Sequence, residues 1–228
     1  GPRRIAVVAM PTLFVLLILS ILYPVSSAGA QEDLGISSIQ FVALSEFAAA
    51  LPGDIQLLDD AIAIEGFLDA LEGYPPDWPS IYGEGHHDPG HDDRLFQVNR
   101  ARDDRRAGNR ALARRIAFRW SGELSHFDPE RKGFSVALGP VLTPTRWGQV
   151  RFKSEDFPGE LKAVPPADSL DRLLREMAAG KTVELAVIII GRLIPDESIV
   201  YDFSHDQEGL GLIMPVIRVE AVHYVLSP

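Results

Sequence analysis

Residues 117–138 read "AFRWSGELSHFDPERKGFSVAL", and the pattern of this stretch decides the fold class. Apolar and polar residues alternate along "AFRWSGELSHF", the period of a strand with one buried face. "DPERKG" carries Asp, Pro and Gly, which are turn residues, and "FSVAL" returns as a second strand. The stretch therefore predicts a β-hairpin closed by Asp128–Gly133.

Working outward toward the C-terminus, Gly148–Lys153 alternates again. "ADSLDRLLREMAAG" (167–180) has the spacing of a short helix, with Asp168 or Ser169 as its cap and Gly180 as its stop. "TVELAVIIIGRLI" (182–194) is almost continuously apolar, as a strand buried on both faces would be. "SIVYDF" (198–203) is a short extra strand, and "MPVIRVEAVHYVL" (214–226) alternates to the end. Three strands, one helix and two or three further strands look like a small OB-type closed barrel. A partly open antiparallel roll with one helix on its face satisfies the same order. The fold class expected is α+β, with residues 116–228 forming the antiparallel β domain.

Working outward toward the N-terminus, "RLFQVNRARDDRRAGNRALARRIAF" begins an Arg-rich helix over 94–115, interrupted at Gly108-Asn109. Leu95, Val98, Leu112 and Ile116 could face a partner surface, or simply pack a solvated helix. Residues 74–93 carry four prolines and three glycines, together with "GEGHHDPGHDDR" (83–94), and read as a loop. Residues 31–73 are expected to be an acidic helical hairpin. Its first stripe is Ile36, Ile39, Val42 or Ala43, Phe47 and Ala50 or Leu51, and Pro52-Gly53 makes the turn. Its second stripe is Ile55, Leu58, Ile62, Glu65 or Gly66 and Leu68 or Leu71, capped by Asp54 and ended by Gly73.

Residues 1–30 begin "GPRRIAVVAMPTLFVLLILSILYPVSSAGA". An arginine pair, an apolar run and Ala28 and Ala30 at A-x-A spacing make a secretory signal peptide. The run from Ile5 to Tyr23, with Ile5, Leu13, Phe14, Leu16, Leu17, Leu19 and Leu22, is also close to the length of a single transmembrane anchor. Both readings stay open here. Either way the remainder is expected to be extracytoplasmic, at the bacterial inner membrane facing the periplasm or free in the periplasm.

The chain of 228 residues has a formal charge of −10 and no cysteine. Lack of cysteine removes disulfides, thiol catalysis and cysteine-held metal clusters. Acidic charge argues against nucleic acid as a partner, because binding there begins with release of counterions by a basic surface. The charge is segregated: residues 31–93 carry −14, residues 94–115 carry +6 and residues 116–228 carry −4. Such segments attract one another or meet a partner. Arg102, Arg105, Arg106, Arg110 and Arg114 are accordingly candidate docking residues for other membrane or envelope proteins. Through an uncleaved N-terminal helix, the lipid bilayer would be a second partner.

"SGELSHFDPERKGFSV", preceded by the Pro-Pro-Asp-Trp loop and the Arg-rich helix, resembles domains of unknown function in exported bacterial proteins. The resemblance covers Tyr74–Val136, through Phe127-Asp128 and Gly133-Phe134. It implies an envelope location and carries no catalytic residue.

Chemistry is sparse. His86, His87, His91 and Asp92 are the candidate metal ligands, for zinc or copper, with Asp93 as an alternative donor and distant His126 or His205 in support. Pro89-Gly90 breaks the helix that would have put His87 and His91 on one face, so the stretch reads first as a solvated linker and only second as a metal site. "AAGKT" (178–182) lacks the first glycine of a phosphate loop, and "GLGLIMP" (209–215) lacks the third glycine of a dinucleotide fingerprint. No G-x-S-x-G or H-E-x-x-H is present. Phe118, Trp120, Phe134, Trp147 and Phe152 among basic residues could stack bases, or simply fill a barrel. The function expected is non-catalytic: an anchored accessory protein that docks on others, with no cofactor. A periplasmic metal or small-ligand binder is the alternative.

Overall fold

A computed structural model describes residues 33–85, 87–207 and 209–228. The hairpin is present. Strand β3 (Arg115–Asp128) pairs antiparallel with β4 (Gly133–Gly139), and Phe127 lies opposite Phe134. On β3 the even positions Ile116, Phe118, Trp120 and Leu124 turn inward. Arg119, Ser121 and Glu123 face out.

Six strands close on themselves in the order β1 (Ile36–Phe41), β8 (Lys162–Val164), β4, β3, β9 (Glu184–Leu193) and β11 (Gly211–Leu226), with β11 returning to β1. The barrel is mixed, because β1 runs parallel to both β8 and β11 while the remaining pairs are antiparallel. It is a closed barrel compatible with an OB-like one, but its strands are not all antiparallel as expected. Helix α5 (Ala167–Ala178) lays Leu173, with Leu170, Leu174 and Met177, against the core. Its N-cap is Pro166, and no side chain caps it, so Asp168 and Ser169 do not play that part.

The acidic hairpin expected over 31–73 is replaced by a strand–helix–strand–helix run. Ile36–Phe41 is β1 and Ile55–Leu58 is β2, which pairs parallel with β3. The helices that follow β1 in this run are α1 (Leu44–Ala50) and α2 (Ala61–Glu72). The apolar spacing of Ile36 and Ile39 suits a helix. It also suits a strand with Ile39 inward, and Ile and Phe favour that geometry once neighbours supply a ladder. Asp60 caps α2, accepting from Ala63 N at 2.8 Å, while Asp54 is instead paired with Arg115 at 3.2 Å. Ile62, expected on the buried stripe, is 82% exposed. The β domain therefore does not start at residue 116, since β1 closes its barrel.

The 74–93 segment is also not all loop. Trp78–Tyr82 forms α3, and α4 begins at His91 and runs to Arg106. Gly108-Asn109 interrupts the Arg-rich stretch as expected, and a 3-10 turn at Arg110–Ala113 leads into β3.

The first half of β11 belongs to a second, smaller sheet ordered β10 (Ile199–Phe203), β11, β6 (Gly148–Val150), β5 (Thr143–Thr145). The expected strand over Gly148–Lys153 is divided between β6 and β7 (Lys153–Glu155). Helices α2 and α4 pack on this small sheet and α3 packs on α4, forming a side lobe on the barrel. Trp78 lies flat on Gly211, where any Cβ would come within 1.9 Å of the indole. That close approach explains the glycine in "GLGLIMP". Trp78 Nε1 donates to Trp147 O at 2.7 Å and Trp147 Nε1 to Asp69 Oδ1 at 3.1 Å, fastening α3 and α2 to β6.

Candidate functional site

Three of the arginines named from the sequence turn inward or are tied locally. Arg102 and Arg106 are 5% and 1% exposed, so they are not docking residues. Helical spacing puts them on the face of α4 that meets the sheet. Arg106 Nη1 pairs with Glu72, itself 3% exposed, and Arg106 Nη2 pairs with Asp103. Arg106 Nε donates to Ser198 Oγ at 2.9 Å and Nη2 to Ile199 O at 3.2 Å. Arg102 Nη1 donates to Tyr74 O at 2.9 Å and lies 3.6 Å from Glu72 Oε2. Its guanidinium sits over the rings of Tyr74, Trp147 and Tyr201. Tyr201 OH donates to Glu72 Oε1 at 2.8 Å. Burial, and then the charge of Glu72, push the Tyr201 phenol far above its ordinary range, which makes it a fixed donor. Burial likewise raises the carboxyl of Asp103, against the pull of Arg106.

The cluster is the inward meeting of the acidic and basic segments. Desolvating these charges is costly, and their mutual pairing and hydrogen bonds offset that cost. Asn99 completes it at the sheet edge. Its side-chain amide accepts from Tyr201 N and donates to Tyr201 O, both at 2.8 Å, and so pairs β10 as another strand would.

Arg105 is exposed on the flank of α4. Its Nη2 donates to Glu72 O at 3.0 Å, and Asn109 Nδ2 donates to the carbonyls of Ala70 and Leu71 at 3.3 and 3.2 Å. Together they cover carbonyls that the end of α2 leaves open. Arg105 also bonds Tyr74 OH and lies 4.5 Å over the Tyr74 ring. Arg110 and Arg114 are exposed, and no carboxylate among the described residues pairs with them.

Between α3 and α4 runs a groove of about 560 Å³ lined by Tyr74, Pro76, Ile81, Val98, Ala101 and Arg105, with Asp77, Ser80, Asp93, Arg94, Gln97 and Arg102 around them. Its size is that of an ordinary ligand cleft. Arg94 closes one end, Nε donating to Ile81 O at 3.0 Å and Nη2 lying 2.8 Å from Asp88 Oδ2. Arg105 and Tyr74 form the other end. Val98 was legible as an apolar position, whereas Tyr74, Pro76 and Ile81 sat in a segment that read as loop. The signal for them was the Pro-Pro-Asp-Trp-Pro run, since Pro at the start of a short helix after Asp is an N-terminal signature.

The histidine stretch is organised by Asp88, which the sequence reading passed over. Its carboxylate accepts from Glu84 N at 3.1 Å and Gly90 N at 2.9 Å, and it faces Arg94. The Arg94 bond, supported by these two amides, lowers the Asp88 carboxyl to about 2. His87 and Asp92 are exposed. The His91 ring packs 4.7 Å from that of Phe203, and its Nδ1 lies 2.9 Å from Asp92 Oδ1. His86 lies outside the described residues. Among those described, no three His, Asp or Glu side chains gather as a metal would require, and His126 and His205 do not join them. The aromatics considered for base stacking, Phe118, Trp120, Phe134, Trp147 and Phe152, are all core residues. So is Ile116.

The segment from Ile5 to Leu22 lies outside the described residues too, and no described helix is long and apolar enough to cross a membrane. No protein-family model, no curated protein and no solved structure matches this chain. The resemblance of Tyr74–Val136 to exported domains therefore gains no support from them.

Proposed function

We propose that this chain is a non-catalytic extracytoplasmic protein, delivered or anchored by its first thirty residues, that works by docking on another protein. An accessory subunit of a bacterial membrane complex is the concrete form. The observation that carries this reading is the apolar α3–α4 groove, open at the surface of a body whose described aromatics, Phe96 apart, and buried charges are otherwise committed to its own packing. Grooves of this kind take side chains from a partner, with a few polar groups fixing orientation. In this reading the β-barrel, which we take as OB-like, is a rigid platform. The docking residues reduce to Arg105, Arg110 and Arg114 of the five named.

The test is intact mass of the protein isolated from its native membranes, with a photo-crosslinking residue at position 101 to show what sits in the groove. A chain crosslinked through the groove to another envelope subunit supports the reading. A free chain that carries stoichiometric zinc or copper, lost when His86, His87 and His91 are replaced by alanine, would move the function to metal binding.

A further inference from the structure

The geometry points to the occupant of the α3–α4 groove: a short extended segment of a partner protein, apolar in its middle and carrying a carboxylate where it meets Arg105. This inference rests on the docking reading and gives the partner its chemistry.

Length comes first. Arg94 and Arg105 are eleven residues apart on one helix, or about 16 Å at 1.5 Å per residue. An extended segment of about five residues spans that distance at roughly 3.3 Å each. The middle of the groove is Pro76, Ile81, Val98 and Ala101, which offers apolar contact and no strong donor.

The two ends differ in charge. At the Arg94 end the guanidinium is already neutralised by Asp88, and Asp93 stands beside it. At the other end Arg105 is held by two uncharged acceptors, the hydroxyl of Tyr74 and the carbonyl of Glu72. No carboxylate among the described residues pairs with it, and Arg110 and Arg114 follow in the chain in the same condition. Of the acids nearest this end in sequence, Glu72 and Asp103 pair with Arg106, Asp104 makes no ion pair among the described residues, and Asp77 is turned onto Ser80, accepting from its N at 3.4 Å and its Oγ at 2.6 Å. A guanidinium that keeps its positions through neutral acceptors retains donors for a fork-shaped anion, and carboxylate matches that geometry. Tyr74, 57% exposed beneath Arg105, extends the apolar floor up to the charge. An acid at the opposite end would meet Asp93, so the groove places the segment's acidic end at Arg105.

The test uses the full chain in mild detergent and blocked five-residue peptides of apolar sequence ending in Glu, in Gln, or beginning with Glu. Binding is read by calorimetry and by shifts of groove resonances. The Glu-ended peptide is expected to bind about tenfold more tightly than its Gln counterpart, the usual worth of one charge-assisted hydrogen bond, and the peptide beginning with Glu to keep that preference by lying in the opposite sense. Arg105→Lys keeps charge but not the fork and should lose most of that preference. Ala101→Trp fills the groove from an exposed position and should abolish binding of every peptide, with an unchanged melting curve showing that the fold survives. Equal binding of Glu and Gln peptides, or binding unaffected by Ala101→Trp, overturns the proposal. Tighter binding of decanoate than of any peptide also overturns it, in favour of a small amphiphilic acid. If the peptides fail while the position-101 crosslink still captures a partner in native membranes, this chemistry falls and the docking reading stands. Loss of both ends the docking reading too.

Discussion

The barrel and the side lobe share one long strand, β11, yet are held together by different forces. In the barrel, Phe118, Trp120, Phe134, Val187, Ile189 and Tyr224 fill the interior, and charge is confined to the outside. Charges that meet there differ in cover: Glu220, 2.9 Å from both Arg115 Nε and Arg192 Nε, remains wet, whereas Lys162 on β8 is buried and lies 3.1 Å from Asp128 Oδ2. The lobe has apolar packing too, from Phe67, Leu68, Trp78 and Trp147, but wraps it around a buried polar cluster of Glu72, Arg102, Arg106, Tyr201, Asn99 and Ser198. The difference teaches that the lobe's order depends on directional bonds, which fail when one member is removed, whereas apolar packing degrades by degrees.

The largest expected effect follows directly. Glu72→Leu leaves Arg102 and Arg106 buried without their anion and should cost about 3–5 kcal/mol. Hydrogen exchange should show α4 and β10 losing protection while the central amides of β3 and β9 keep theirs. If β3 and β9 exchange together with α4, the lobe and the barrel are one cooperative unit and the contrast fails. Next comes Gly211→Ala. A methyl group driven into the Trp78 indole should cost about 1–3 kcal/mol, with a shift in Trp emission and a lower denaturant midpoint. Asn99→Leu removes the amide that pairs with β10 and should cost about 1–3 kcal/mol. It also bares a strand edge, so light scattering on mild heating should rise.

The barrel's outer face supplies a pH prediction. His223 is half-buried beneath α1, its ring 5.6 Å from that of Phe47, and burial lowers its pKa from the ordinary 6.5. The folded state thus binds the proton less readily than the unfolded state. Stability is full above pH 6.5 and is expected to fall as pH drops from there toward the lower folded value. His223→Phe should flatten the melting temperature across that window. Asp88 has the same sign of pH dependence in a lower window, its contribution being lost only as pH falls from 3.8 toward about 2. The smallest effect belongs to Arg192→Gln at the wet Glu220 clamp, about 0–1 kcal/mol and reduced further by salt.

Much of the barrel was legible because strand alternation survives in sequence. The 117–138 hairpin, the apolar strand at 184–193 and helix α5 lie close to where periodicity puts them. The strands Ile36–Phe41 and Ile55–Leu58 were not legible, because short apolar runs satisfy helix and strand spacing alike. Their state is set by the ladders of β8, β11 and β3, more than one hundred residues away for β1. The groove was half legible: the arginines on α4 stood out, while Tyr74 and Ile81 became its wall only when α3 formed.

By itself the sequence determined an α+β chain with a β-hairpin at its centre, an excess of acid ahead of a run of arginine, and no thiol chemistry. Composition and local periodicity carry those properties without reference to distant residues. Tertiary structure alone decided that Arg102 and Arg106 face inward to Glu72 while Arg105 stays at the groove. Helical spacing says which side chains share a face, but the sheet that covers that face comes from residues 199–215, and only its arrival separates a buried guanidinium from a free one.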